Sequence, residues 1–304
     1  MKKATKIGLL TAVFFILTGM IVFCAAAFSV HWDFKKFNTQ KYETKLYDIS
    51  EDFRHIAIKN DIVDIVFLPS EDETCKVICH EQENFRYSAT VRNETLLIEV
   101  TDERKWYDHI GINFGEEPKL TVYLPKEEWA SLSIQGNTCD LEIPQNFKFQ
   151  NADLVLSTGD IHFYASVSEN IKVKTGSGDI TLENLKCTEE IRISVSTGDI
   201  KLKNIACKTL VSTGNTSDIV LKNVIASEKF SITTSTGDVK FDGCDAAEIS
   251  VATGTGDVSG TLLSEKKFMP KTSTGDIEVP KTENGGLCEI TTSTGDIEIM
   301  IKNR

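Results

Sequence analysis

The chain has 304 residues, 40% of them hydrophobic, and a formal net charge of −12 at pH 7. This acidic balance argues against a nucleic-acid partner, because binding to phosphates needs a basic surface. The length suits one elongated domain with an appendage.

The N-terminus has the pattern of a membrane signal-anchor. Lysines occupy three of residues 1–6, and residues 7–28 carry no charge. A helix over that stretch would span roughly 33 Å, the thickness of a bilayer core. The lysines predict a single-pass protein of the bacterial cell membrane with residues 1–6 in the cytoplasm and the bulk of the chain outside it. Cleavage as a signal peptide after Ala27 remains the alternative, because three small alanines precede that point.

Residues 29–44 are predicted to be a juxtamembrane linker, and residues 45–130 a β-rich N-terminal cap that grades into irregular first coils. Alternating or apolar runs predict five strands in this cap, separated by charged turns; they lie around residues 56–58, 62–68, 75–79, 96–100 and 120–124.

Residues 131–304 contain a repeat of 19 or 20 residues built on Thr-Gly-Asp. Its aspartates are Asp160, Asp179, Asp199, Asp218, Asp238, Asp257, Asp276 and Asp296, with a weaker member at Asp140. Ile or Val follows each of the eight, and apolar residues alternate on both sides of the turn. Two short strands per coil, with no helical periodicity, predict an all-β fold: a parallel β-solenoid, interpreted as a right-handed β-helix.

The aspartates admit two interpretations. Each carboxylate either caps its own Gly-Asp turn, or a ladder of them binds Ca²⁺, an ion that prefers oxygen ligands. The calcium hypothesis concerns seven residues: Asp160, Asp179, Asp199, Asp238, Asp257, Asp276 and Asp296. Turn capping is the preferred interpretation, because each coil offers one acidic group and the Gly-Gly-x-Gly-x-Asp calcium repeat is absent.

We find no catalytic motif, and therefore assign no catalytic residue, cofactor or metal. Zinc-protease, nucleophile-elbow, phosphate-loop and Cys-x-x-Cys patterns are all absent. The carboxylates recur with the repeat, whereas a catalytic site would be unique to one place. Cys187 and Cys207 occupy equivalent positions on adjacent coils, where a ladder of free thiols is preferred to a disulfide.

Four residues are candidates for partner binding. Trp106, Tyr107 and Phe114 lie on a long loop that interleaves aromatic and charged residues, which is typical of a recognition surface. The alternative for this loop is a flap that buries Trp106. Ile299 lies in the last strand of the sequence, which predicts an open edge and either weak self-association through the C-terminal coil or docking of a partner strand.

The strand Leu120–Pro125, followed by Leu132-Ser133-Ile134 and the Thr-Gly-Asp-Ile coils, resembles a bacterial domain family of unknown function whose members are named as candidate adhesins. With its N-terminal anchor, the chain also resembles the LiaG-like membrane-anchored proteins of the cell envelope. The resemblance implies a non-catalytic β-helix outside the membrane that binds an envelope component or a membrane protein. Two alternatives are a modulator of envelope stress acting through a neighbouring membrane protein, and a carbohydrate-active β-helix enzyme.

Overall fold

The computed structural model of the protein describes residues 3–37, 42–82, 84–106 and 118–302. Helix α1 (Lys3–Ser29) is followed by a short 3-10 helix (Phe34–Phe37). Within α1, Lys6–Ser29 has a mean hydropathy of 2.5 and is long and apolar enough to cross a membrane. A signal sequence near an N-terminus has the same properties.

The rest of the described chain is almost entirely strand. The strands are β1 (Tyr42–Ile49), β2 (His55–Lys59), β3 (Asp64–Pro69), β4 (Cys75–Gln82), β5 (Phe85–Arg92), β6 (Thr95–Asp102), β7 (Lys119–Leu124), β8 (Glu128–Thr138), β9 (Leu141–Ile143), β10 (Lys148–Thr158), β11 (Ile161–Phe163), β12 (Ser166–Ser177), β13 (Ile180–Glu183), β14 (Glu190–Thr197), β15 (Ile200–Thr216), β16 (Ile219–Thr236), β17 (Val239–Thr255), β18 (Val258–Leu262), β19 (Lys266–Lys271), β20 (Ile277–Glu278), β21 (Gly286–Thr294) and β22 (Ile297–Ile301).

Parallel pairing of these strands confirms the predicted β-solenoid, which has about nine turns. Residues one repeat apart stack in register, as in Ile180, Ile200 and Ile219. All three are fully buried, and the next residue after Ile200, Lys201, is exposed. The core is therefore a set of aliphatic columns that run along the inside of the solenoid, as the alternation predicts.

At the N-terminal end the coils do not stack in chain order. The coil formed by β2 and β3 lies between the β8–β9 coil and the β6–β7 coil. Strands β5 and β4 then pair antiparallel with β6 and β7, and β1 pairs antiparallel with β4. The outermost coil is thus covered by antiparallel strands on this side.

The C-terminal end shows the same inversion of order. The last coil of the sequence, β21–β22, pairs with β17–β18 on one side and with β19–β20 on the other. The expectation that Ile299 lies at an open edge is therefore wrong. Its strand is inserted between two earlier coils, and Ile299 is 2% exposed. The outermost coil is instead formed by residues 264–285.

Within the repeat that begins at Asp140, two coils depart from the Gly-Asp turn, and each carries a matching change four residues before its aspartate. Cys139 replaces the turn glycine in one coil, and the inward residue three positions earlier is Gly136. Ser217 replaces it in the other, and the inward residue three positions earlier is Gly214. A Cβ on Gly136 would lie 2.6 Å from the Cys139 sulfur, and one on Gly214 would lie 2.7 Å from Ser217 Cβ. The side chain in the turn thus fills the space that the inward residue occupies in the other coils.

Candidate functional site

The repeated aspartates form one continuous ladder along a corner of the solenoid. Oδ1 of each carboxylate accepts a hydrogen bond from the backbone N–H of the aspartate on the next coil, at 2.7–3.3 Å. Nine such bonds join ten residues in the spatial order Asp64, Asp140, Asp160, Asp179, Asp199, Asp218, Asp238, Asp257, Asp296 and Asp276. The carboxylates therefore cap backbone across coils, rather than within one turn.

Glycine and threonine complete this corner. Gly178 has φ +136°, and a Cβ there would lie 2.2 Å from the Gly159 carbonyl oxygen, so the turn leaves no room for a side chain. Thr175, which is fully buried, donates its hydroxyl to that same Gly159 carbonyl at 3.1 Å. Thr234, Thr253, Thr272 and Thr292 repeat this bond in four other coils.

The electrostatics of the ladder are clearest at Asp179. The backbone N–H of Asp199 lowers the pKa of Asp179, and Lys201, whose Nζ lies 3.2 Å from Asp179 Oδ2, lowers it further. Lys201 also lies 3.9 Å from Asp199 Oδ2 and so bridges two coils. Hydrogen bonds and lysine together offset the repulsion between stacked carboxylates.

The seven aspartates proposed as a calcium ladder all belong to this hydrogen-bonded corner. Among the described residues, no group of three or more His, Cys, Asp or Glu side chains comes together in a way that could hold a metal ion. The Oδ1 atoms cap the backbone of the next coil, whereas the sequence predicted capping within one turn. Calcium binding by the Oδ2 atoms stays an untested hypothesis.

The aromatic loop is described only in part. Trp106 is 75% exposed, which differs from the alternative of a flap that buries it. Tyr107 and Phe114 lie outside the described residues. Recognition by this loop therefore remains a prediction.

A buried polar network at the N-terminal end was missed from the sequence. Glu81 is 2% exposed, forms an ion pair with Lys45, and accepts a hydrogen bond from the Tyr87 N–H at 2.8 Å. The Tyr87 hydroxyl donates to Asn60 Oδ1, at the corner of the β2–β3 coil, and burial raises the pKa of Tyr87. Side chains alternate between the two faces of β4, and Glu81 falls on the same face as Cys75, Val77 and Cys79. This alternation is the sequence signal that marks Glu81 as inward. The network joins the antiparallel strands to the solenoid.

All eight cysteines lie among the described residues and are free thiols; of these, only Cys24, in α1, is exposed. Cys187 and Cys207 are both buried, and burial raises the pKa of Cys207 to about 12. Thiols in this state are poor nucleophiles and poor metal ligands. They act as small apolar side chains in the solenoid.

A shallow groove with both polar and apolar lining crosses four consecutive coils on one lateral face. Asn170 Nδ2 donates to Asn151 Oδ1 at 3.2 Å, and Arg192 forms a two-bond pair with Glu190 at 2.8 and 2.9 Å. The lining of the groove comprises Ser131, Leu132, Ser133, Asn151, Ala152, Asp153, Asn170, Ile171, Lys172, Glu190 and Arg192.

Several solved structures are similar to this chain at low sequence identity. A candidate adhesin of Parabacteroides merdae matches with 16% identity and TM-score 0.47, over 86% of this chain and 96% of its own. A candidate adhesin of Bacteroides fragilis matches with 14% identity and TM-score 0.40, over 86% and 97%. A candidate lipid-binding protein of Parabacteroides distasonis matches with 15% identity and TM-score 0.44, over 86% and 98%. Likeness at this level carries no argument about ligands.

No curated protein matches this chain. A family model does match, over almost the whole solenoid: residues 53–190 and 186–304 fit the toastrack DUF4097 model in two overlapping segments. With the Thr-Gly-Asp coils and the stacked order of strands, this match leads to one conclusion: the chain belongs to the toastrack DUF4097 family.

Proposed function

We propose that this protein is a membrane-anchored, extracytoplasmic β-solenoid that serves the cell envelope as a non-catalytic, adhesin-like binding or scaffold module. The observation that carries the proposal is the exposure of α1. Its large apolar side chains are 45–77% exposed, as at Val13 and Phe28. A surface of this kind needs a hydrocarbon environment, because apolar area in water is unfavourable.

The lysines at the N-terminus support the orientation. Lys2, Lys3 and Lys6 precede the apolar stretch. Positive charge of this kind is retained on the cytoplasmic side, which directs the solenoid outward. At most about 45 Å of extended chain separates Ser29 from Tyr42, so the N-terminal coils stay near the membrane.

The distribution of polar groups supports a non-catalytic role. The aspartates and threonines of the corner recur from coil to coil and are engaged with backbone groups. A catalytic site instead gathers a nucleophile, a base and a stabilising donor in one place. The chemistry of this solenoid is spread along its axis, as it is in extended binding surfaces of repeat proteins.

The lateral groove is the binding surface that we propose. Its amide, carboxylate and guanidinium groups are spaced one coil apart, which suits a polar, extended polymer of the envelope. Hydroxyl-rich glycan chains have the hydrogen-bonding groups that such side chains recognise.

The experiment uses the full chain in liposomes and purified envelope polysaccharide as the probe. We expect the liposomes to sediment with the polysaccharide, and Asn151→Ala with Asn170→Ala to weaken this at least several-fold. The matched control, Asn204→Gly with Asn223→Gly, removes two stacked asparagine side chains at another corner, where φ values of 53° and 52° suit glycine. Equal binding by both double variants would contradict the groove, and turnover of the polysaccharide would contradict the non-catalytic role.

A further inference from the structure

The outermost coil at the C-terminal end, residues 264–285, differs from the coils beneath it; we call it the cap coil. It contains Pro270 and Pro280, whereas residues 145–269 contain no proline. Its first strand, β19, has six residues of which three are lysine, and its second strand, β20, has two residues. The Thr-Gly-Asp corner is kept, with Asp276 N–H bound to Asp296 Oδ1 at 2.7 Å. The cap coil thus stacks on the solenoid through the same corner as any other coil.

The inward face of the cap coil carries a charge. Lys266 is 4% exposed, and its Nζ lies 2.6 Å from Asp245 Oδ1 and 2.7 Å from Ser264 Oγ. In the register Lys266 lies opposite Gly286, and Pro270 lies opposite the fully buried Ile290. Pro270 thus occupies an inward position that an aliphatic residue occupies in the coil below, and Lys266 brings a buried charge to the same strand.

Short strands, lysine, proline and inward-pointing charge are the features by which natural edge strands avoid pairing with another chain. All four occur together in the cap coil. Among the described residues, β19 pairs only with β21, and β20 only with β22, so the cap coil is the free edge at this end.

Because the order of the last coils is inverted, the cap coil covers coil β21–β22, which follows it in the sequence. Coil β21–β22 has an aliphatic inward face, with Ile290 and Ile297 fully buried, and a regular strand, Ile297–Ile301. At the end of the solenoid this coil would offer a long, apolar edge to any other strand. Because the cap coil lies over it, that edge is already paired.

We propose that the cap coil is a built-in block against strand addition, which keeps copies of this chain from stacking end to end. At the N-terminal end the antiparallel strands β1, β4 and β5 continue the sheet beyond the outermost coil. This inference is independent of the ligand and of the membrane anchor.

The test is sedimentation velocity of the full chain in detergent micelles over a wide concentration range. The variant Lys267→Thr, Pro270→Thr, Lys271→Thr converts β19 into an ordinary strand and leaves the Lys266 ion pair intact. The control, Lys174→Thr with Lys240→Thr, removes the same number of charges from exposed lateral positions.

We expect the wild type and the control to stay monomeric, and the β19 variant to shift with concentration toward the mass of a dimer and larger species. Monomeric behaviour of a β19 variant that melts like the wild type would overturn the proposal, and so would self-association of the wild type that the β19 variant leaves unchanged. If the triple variant does not fold, the single variant Pro270→Thr is tested in the same way. Association that rises with concentration would support the proposal, and monomeric behaviour would overturn it.

Discussion

The pairing of Gly214 with Ser217 gives a sharp test of how the coils pack. In most coils the residue four before the aspartate is an inward Thr, Val or Leu, and the residue before the aspartate is glycine. In this coil the two are exchanged, and Ser217 points inward over Gly214. Gly214→Thr restores the usual inward residue without the usual turn. Its Cβ would lie 2.7 Å from Ser217 Cβ and 3.1 Å from Thr234 Oγ1.

Overpacking of this kind in a filled core costs about 1–3 kcal/mol of unfolding free energy. For a domain of this size each kcal/mol corresponds to about 2–4 °C in Tm. Gly214→Thr is therefore expected to lower Tm by several degrees.

The double variant, Gly214→Thr with Ser217→Gly, should recover that loss. It removes the Ser217 hydroxyl, which is buried without a hydrogen-bond partner. It also lets the introduced threonine hydroxyl donate to the carbonyl of Gly198, as Thr175 donates to Gly159. A buried hydrogen bond of this kind contributes about 1 kcal/mol. We expect the double variant to melt at or above the wild-type temperature, with a coupling energy of about 1–3 kcal/mol between the two sites.

The assay is thermal and denaturant unfolding of wild type, both single variants and the double variant. Gly136→Thr is the matched second case, because its Cβ would lie 2.6 Å from the Cys139 sulfur. Two results would refute the claim that Ser217 fills the space of the missing side chain at residue 214. One is a Gly214→Thr variant as stable as wild type, and the other is a double variant no more stable than Gly214→Thr alone.

Three further predictions concern the core and the ladder. Ile200→Asp buries a charge in the inner column and should lower unfolding free energy by several kcal/mol, whereas Lys201→Asp should have a small effect; equal losses in calorimetry would contradict the alternation. Asp238→Asn keeps an oxygen that accepts from the Asp257 N–H, whereas Asp238→Ala removes it and should lower the free energy of unfolding by about 1 kcal/mol. A chelator should leave Tm unchanged, and a rise in Tm with added Ca²⁺ would favour the metal hypothesis. Because the pKa of Asp179 is lowered by folding, its ionised form stabilises the protein above the unfolded pKa, about 3.9, and this contribution is lost as pH falls through the folded value. The Tm difference between wild type and Asp179→Asn should therefore shrink in acid, and a difference that grows in acid would contradict the capping.

Much of the solenoid could be predicted because its physics is local. Each coil repeats the same alternation of buried and exposed residues and the same Gly-Asp turn. A position that is inward in one coil is therefore inward in the next, as at Ile180, Ile200 and Ile219. The strands predicted in the N-terminal cap are also present, because alternation there is equally regular.

The order of the coils could not be predicted. Any coil can stack on any other through the same columns, so the sequence does not state that β21–β22 lies inside the cap coil. Lys266 and Pro270 are the residues of the sequence that point to this order, because a charge and a proline are unfavourable in an inner coil and suit an outer coil. For the same reason Ile299, an aliphatic residue in a regular strand, suits an inner position.

The polar network at the N-terminal end was also out of reach. It brings together Lys45, Asn60, Glu81 and Tyr87 from strands and corners whose pairing is antiparallel and non-local. Composition shows only that these residues are polar. Their burial follows from how β4 and β5 cover the outer coil, which alternation alone does not specify.

The most direct test of the anchored, outward-facing solenoid is labelling of introduced cysteines in wall-less cells with a membrane-impermeant maleimide. Native cysteines of the solenoid are buried, so a surface cysteine reports its own side of the membrane. We predict that Lys240→Cys is labelled in intact cells, and that Lys2→Cys is labelled only after the membrane is permeabilised. Labelling of Lys240→Cys only after permeabilisation, or recovery of the labelled solenoid free in the medium, would contradict the account.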